Sequence, residues 1–274
     1  MLEDTDRNLL TGKAVIVTGA GRGLGAAFAR HAAWCGADVV VDDVDLVEAK
    51  AVAAAICADG GSAIACGLSV AEADNAQALA SLCMERFGRI DGLINNAAIF
   101  YIRSIWEEDA AEAQRLVSVN LMGAINCAAA VTPHMRTAGR GSIVNVASSA
   151  AFGLAGRGAY GATKAALLSL TYTWALELQA DGVRVNALGP RAATRMNLRT
   201  EETVEQVAPV ATYLLSDRSA DVNGQCIRAC GMEIAWTLPF RYAEMTSRTT
   251  PGIDGVRDAL DRADAGPQPF GLRP

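Results

Sequence analysis

Seven short apolar runs recur along the chain, and most are followed by a longer alanine-rich stretch with helical spacing. KAVIVTG (13–19), ADVVVDD (37–43), SAIACGL (62–68), RIDGLINNAA (89–98), GSIVNVAS (141–148), GVRVNAL (182–188) and GQCIRACG (224–231) read as strands. The stretches 23–36 and 46–60, a segment ending near Phe87, and 107–135, 158–180 and 203–217 read as helices, the last with Pro209 inside it. A strand that is apolar along its whole length is covered on both faces, and the alternation supplies helices to cover it. The expected fold is α/β: a single doubly wound Rossmann-type domain with a parallel sheet of about seven strands. A chain of 274 residues, 51% of them hydrophobic, suits one such domain. Residues 1–235 are expected to form it. From Trp236 the pattern fades into a polar stretch containing Pro and Gly, so 236–274 is expected to be a tail over the active site or a subunit interface.

Several function classes drop out on composition. A formal net charge of −6 argues against nucleic acid, whose phosphates need a basic surface. The seven cysteines show no CxxC spacing and there are only two histidines, so buried reduced thiols are expected and no metal site. The polar, acidic start of the chain has no apolar signal core, and no run reads as a bilayer span. No membrane association and a cytoplasmic location are expected. His31 and His134 pair with no candidate nucleophile and read as structural.

TGAGRGLG (18–25) joins the first strand to the first helix. Gly19, Gly23 and Gly25 let the backbone turn tightly and approach a pyrophosphate, which the helix N-terminus then faces. Asp42 and Asp43 end the second strand. A carboxylate there accepts hydrogen bonds from ribose hydroxyls and repels a 2′-phosphate, and Asp43 is the better placed. Arg22, inside the loop, pulls toward a 2′-phosphate. The two acids outweigh it, so NAD is expected over NADP.

In AYGATKAALLSL (159–170), Tyr160 and Lys164 lie four apart and share a helix face. A phenol titrates near ~10, so service as a base near neutrality needs a drop worth about 4 kcal/mol. One positive charge ~4 Å away at an effective dielectric of ~20 supplies about that much. The bland reading is an amphipathic helix whose two polar tips reach water.

These segments together resemble the short-chain dehydrogenase/reductase family over about residues 11 to 235. TGAGRGLG, including Leu24, resembles its cofactor loop. NNAA (95–98) resembles its Asn-Asn-Ala-Gly, with Ala98 for Gly. VNLMG (119–123) and IVNVASS (143–149) resemble the segments carrying its catalytic Asn and Ser. YGATK (160–164) resembles its Tyr-x-x-x-Lys, and VRVNALGP (183–190) its sixth strand. The resemblance implies that Tyr160 is the general acid/base. Lys164 would lower the Tyr160 pKa and hold the nicotinamide ribose, and Ser148 would hydrogen-bond the substrate oxygen, with Ser149 as the alternative. Asn120 would anchor a water leading from Lys164 to solvent; a buried Asn that satisfies a helix carbonyl is the plainer reading. Asn96 would contact the adenosine ribose. Thr194 would hold the carboxamide; a loop or cap hydroxyl competes with that role.

The chain departs from the family in places. The usual Asp-Val that meets adenine is Ser69–Val70, and the usual Pro-Gly after the sixth strand is Pro190–Arg191. The stretch from Thr194 to the next helix is short. GPRAATRM (189–196) with so short a continuation is similar to the dehydrogenase unit of multifunctional enzyme type 2 and its bacterial relatives, which suggests NAD and a hydrophobic secondary alcohol. The aromatic residues Trp236, Phe240 and Tyr242 are expected to cover the site in place of the missing segment, from this chain or another. The expected activity is NAD-dependent hydride transfer to or from a hydrophobic secondary alcohol or ketone, a small molecule of 3-hydroxyacyl or alicyclic, steroid-like type, by a homodimer or homotetramer. An NADPH-dependent ketoreductase on a polyketide or acyl-carrier thioester is one alternative. A non-catalytic nucleotide sensor or scaffold is another.

Overall fold

The computed structural model describes residues 6–193, 201–238, 244–251 and 253–263. The elements in chain order are β1 (Ala14–Thr18), α1 (Gly23–Trp34), β2 (Asp38–Asp42), α2 (Leu46–Ala58), β3 (Ser62–Cys66), α3 (Ala73–Phe87) and β4 (Gly92–Asn95). They continue with α4 (Ala110–Val117), α5 (Gly123–Ala138), β5 (Gly141–Val146), α6 (Gly158–Leu178), β6 (Val183–Arg191), α7 (Val204–Leu215), β7 (Cys226–Cys230), β8 (Glu233–Trp236) and α8 (Ile253–Asp261). The sheet order is β3-β2-β1-β4-β5-β6-β7-β8. β1 to β7 pair in parallel and β8 runs antiparallel to β7.

Period-two geometry explains why the strands are apolar throughout. Val15, Val17, Val39 and Val41 enter one core layer, with Phe28 of α1, Val52 of α2 and Val207 of α7. Ala14, Ile16 and Val40 enter the other, with Leu79 of α3 and Val131 of α5. Strand order reverses between β1 and β4, so a crevice opens at the carboxyl ends of these strands. The β6–β7–β8 side rises above that level. Asn145 of β5 is level with Ala187 of β6, and Ala187 with Cys226, the first residue of β7. β8 then descends until Trp236 is level with Ile227, and Thr237 N–H donates to the Cys226 carbonyl at 2.8 Å.

Four expectations need correction. The sheet has an eighth strand, and the expected boundary at 235/236 falls inside it. Every residue of β8 is exposed, so no buried alternation marked it in the sequence. The expected helix 107–135 is a 3₁₀ turn at Ile105–Glu107, then α4, a π-helical turn at Ser118–Met122, and α5 with Pro133 inside it. Asp109 caps α4 by accepting from Glu112 N–H at 2.9 Å. The expected strand 89–98 pairs only over Gly92–Asn95, because Asn96 turns its side chain back onto the glycine loop. Finally, the helical run 110–138 is long and apolar enough to cross a bilayer by length and composition alone. Here it is a core helix: Cys127, Ala128, Ala130, Val131 and Met135 are all buried in the second layer.

Candidate active site

The turn from β1 to α1 is glycine-rich because its backbone passes too close to itself for side chains. A Cβ on Gly25 would collide with the Gly19 carbonyl, and one on Gly19 would meet Ala97 Cα at 2.7 Å. Gly19 and Gly23 hold φ of 61° and 56°, which favours glycine. Thr18, Asn96 and the loop interlock. Asn96 Nδ2 donates to the carbonyls of Thr18 at 2.9 Å and Gly19 at 3.0 Å. The Thr18 hydroxyl accepts from Asn96 and Ala97 N–H, both at 3.1 Å, and donates to the Ile94 carbonyl at 3.2 Å. Asn96 thus holds the glycine loop with its Nδ2 while lining the same crevice at the end of β4. Arg22 precedes α1 with an extended backbone and no side-chain cap, so the first N–H groups of the helix face the crevice without a side-chain acceptor.

The crevice is a cleft of about 690 Å³. Gly19, Arg22, Gly23, Leu24, Gly25, Asp43, Ser69, Val70 and Asn96 line it. That volume and the glycine cradle fit a dinucleotide. Asp43 is held by Gly21 N–H at 3.0 Å and Asp45 N–H at 3.0 Å. A carboxylate accepts about four hydrogen bonds, so acceptor capacity remains for ribose hydroxyls. Asp42 beside it is nearly sealed. Burial pushes its carboxyl up to about 7, against hydrogen bonds from Leu68 N–H and the Cys66 thiol. Val70 is seated because Gly123 has no Cβ, and Asn126 Nδ2 holds the Val70 carbonyl at 3.0 Å. Pro190 lies on β6 and does not line this cleft. Thr194, Phe240 and Tyr242 lie outside the described residues. Trp236 is 59% exposed on the edge strand.

β5 and α6 bring the second group together. Tyr160 and Lys164 are both buried on the inner face of α6. The Ser148 hydroxyl lies near enough to the Tyr160 phenol to act on its titration, and Ser148 accepts from Ala150 N–H at 3.2 Å. That proximity favours Ser148 over Ser149. Lys164 Nζ donates to the Val146 carbonyl at 2.7 Å and lies 5.7 Å from the centre of the Tyr160 ring. Burial pushes its ammonium down to about 8. The expected lowering of the Tyr160 pKa by Lys164 is not what the site sets. Burial raises the phenol above its ordinary value, and opposing that are the Ser148 hydroxyl and the charge of Arg157. Lys164 is turned to the Val146 carbonyl rather than to the phenol oxygen. Asn120 sits in the π turn, buried. Its Oδ1 accepts from Ile99 N–H at 2.8 Å and its Nδ2 donates to the Ile99 carbonyl at 2.9 Å. The side chain thus satisfies the loop after β4 rather than a helix carbonyl. π turns occur often at functional sites.

Sequence reasoning missed the supports. Asn95 Nδ2 donates to Asn145 Oδ1 at 2.9 Å, and Asn145 Nδ2 to Thr171 Oγ1 at 2.9 Å. This buried chain ties β4 and β5 to α6, which carries Tyr160. It also missed the wall around the phenol, where Ile99, Phe100, Tyr101 and Leu154 pack with Tyr160. His31 is structural, as expected: Nδ1 is 2.8 Å from the Thr212 hydroxyl, and burial pushes the ring down to about 4.

Comparison with known proteins agrees with this geometry. The family model for the short chain dehydrogenase matches residues 13–205. A 3-oxoacyl-[acyl-carrier-protein] reductase of Synechocystis is 39% identical over 74% of this chain and 84% of its own length. The crystal structure of a short chain dehydrogenase from Mycobacterium avium superposes with a TM-score of 0.86 and 33% identity, covering 96% of this chain and 100% of that one. A gluconate 5-dehydrogenase from Burkholderia cenocepacia, in complex with NADP and tartrate, has a TM-score of 0.77 and 30% identity, covering 84% of this chain and 98% of that one.

Proposed function

We propose that this chain, which belongs to the short-chain dehydrogenase family, oxidises or forms hydrophobic secondary alcohols with NAD as the hydride carrier. The observation that carries the reading is the buried phenol of Tyr160, near Ser148 and packed beside Lys164 on one helix face. When bound, the oxidised nicotinamide supplies a hydride acceptor and a positive charge. Tyr160 Oη takes the proton from the carbinol oxygen, or returns it in the reverse direction. Ser148 Oγ holds that oxygen and stabilises its developing charge. Lys164, held by the Val146 carbonyl, is placed to bind the nicotinamide ribose rather than to tune the phenol. Asn120 acts on the loop after β4 and keeps the site's wall in position.

Asp43 supports NAD: a fixed carboxylate in the cleft repels a 2′-phosphate. The apolar wall of Phe100 and Leu154 around Tyr160 supports a hydrophobic substrate. A second reading is an NADPH-dependent ketoreductase acting on a 3-oxoacyl thioester. Arg22, exposed in the same cleft, favours it, as does the likeness to a 3-oxoacyl-[acyl-carrier-protein] reductase. Working as a homo-oligomer in the cytoplasm is part of the proposal.

The test is turnover with NAD and with NADP across alicyclic alcohols, 3-hydroxyacyl thioesters and hydroxy acids, using Tyr160→Phe as control. The expected result is NAD-dependent turnover that falls about 10²- to 10⁴-fold in the variant, the usual contribution of a positioned proton-transfer group. Preference for NADP moves the assignment to the ketoreductase. NAD binding without any turnover moves it to a nucleotide sensor.

A further inference from the structure

The loop after β4 and the loop before α6 meet beside Tyr160. Arg103 N–H donates to the Gly156 carbonyl at 2.8 Å, and Arg103 and Arg157 pair as an isolated parallel bridge. Each loop thereby brings one arginine to the same edge of the site. Their surroundings differ. Arg103 is ion-paired to Glu112 at 2.5 Å and lies 5.5 Å from the Tyr101 ring centre. Arg157 makes no ion pair among the described residues. Its guanidinium lies 5.0 Å from the centre of the Phe100 ring. Phe100 in turn meets Tyr160 edge to face, with ring centres 5.0 Å apart.

The acids near these loops are already engaged. Glu108 accepts from the Tyr101 hydroxyl at 2.6 Å, and Glu112 holds Arg103. Glu107 caps its own 3₁₀ turn at Ser104 N–H, and Asp109 caps α4. Arg157 is thus a half-buried cation in a chain of net charge −6, held against an aromatic ring and without a counter-ion among the described residues. A guanidinium stacked on a ring keeps its N–H edge for planar, two-point recognition of a carboxylate. The Tyr160 hydroxyl marks where the reacting carbinol sits on this reading, and Phe100 touches both Arg157 and Tyr160.

We propose that Arg157 binds the carboxylate of a hydroxy-acid or oxo-acid substrate whose reacting carbon lies at Tyr160, the two joined by an apolar spacer resting on Phe100. This assignment rests on Tyr160 being the proton-transfer group, and it narrows the substrate to amphiphiles with one anionic end.

The experiment compares kcat/KM for 4-hydroxycyclohexanecarboxylate and 3-hydroxybutyrate with that for their carboxamides, in wild type, Arg157→Gln and Arg157→Lys. Any effect of Arg157 on the Tyr160 proton is common to acid and amide and cancels in their ratio. Wild type is expected to favour the acids, and Arg157→Gln to lower the acid-to-amide ratio about 10- to 100-fold, mainly through KM. Arg157→Lys should recover part of the ratio. An unchanged ratio in Arg157→Gln, or no preference for the acids in wild type, overturns the assignment. Turnover of neutral alcohols but of no acid overturns it and leaves the hydride-transfer reading intact. No turnover of any alcohol with either cofactor sinks both. If Arg157→Gln does not fold, the wild-type preference decides together with its salt dependence. A real carboxylate contact loses its advantage as ionic strength rises, and a preference that salt does not move overturns the proposal.

Discussion

Lys164 is a charged side chain 2% exposed, held by one backbone carbonyl. Burial without a carboxylate partner destabilises its charged form, which is why its ammonium sits near 8 rather than 10.5. The unfolded chain binds this proton more tightly than the folded one, so folding is penalised in full below about 8. The penalty fades as pH rises from about 8 through 10.5, and above that both states are neutral. Lys164→Met is therefore expected to lose turnover yet melt higher than wild type at pH 7, and that margin should shrink as melts are repeated up to pH 10.5. A margin that grows with pH would contradict the buried-cation account. The Tyr160–Lys164 pair was legible in the sequence because a spacing of four fixes a shared helix face. Arg157 was not, because its lack of a partner depends on where Glu107, Glu108, Asp109 and Glu112 find theirs.

The π turn between α4 and α5 explains how an asparagine comes to govern a loop. It lies within one continuous helical run and places Asn120 opposite Ile99, where one amide satisfies both an N–H and a C=O. Asn120→Ala leaves both groups without their partner, at a cost of about 1–3 kcal/mol each where water cannot replace it. The expected outcome is a lower midpoint in urea, together with a raised KM for the alcohol, because the loop carries Phe100. Unchanged stability would show that solvent takes over both bonds. The turn was missed in the sequence, because one inserted residue only shifts the phase of the apolar pattern and the apolar run itself continues, and so 107–135 read as one helix. The strands were the easiest elements to find. Burial on both faces writes a continuous apolar run, as in Ala14–Thr18. β8 carries no such mark, and Asn95, Asn145 and Thr171 read as ordinary polar residues until the register sets them in line.

At the scale of the whole molecule, cofactor and substrate functions occupy different parts of one sheet. β1 to β4 and their loops line the cleft, while β5 with the turn after it and α6 carry Ser148, Tyr160 and Lys164, the groups proposed to react. α6 has a second face: Leu176 is 71% exposed and lies away from the site. In a homo-oligomer built on this helix, Leu176→Glu should lower the mass measured by light scattering to that of a smaller assembly. An unchanged mass would place the contact elsewhere. The rise of β6 and β7 above β5 has another consequence. Thr237 and Arg228 end up beside Ser148 around a small depression, delivered there by the β7–β8 hairpin. Insertions or deletions in that hairpin would slide Thr237 relative to Ser148 without touching the glycine loop. A lineage could therefore retune what the enzyme accepts by changing hairpin length alone, with its cofactor half inherited unaltered.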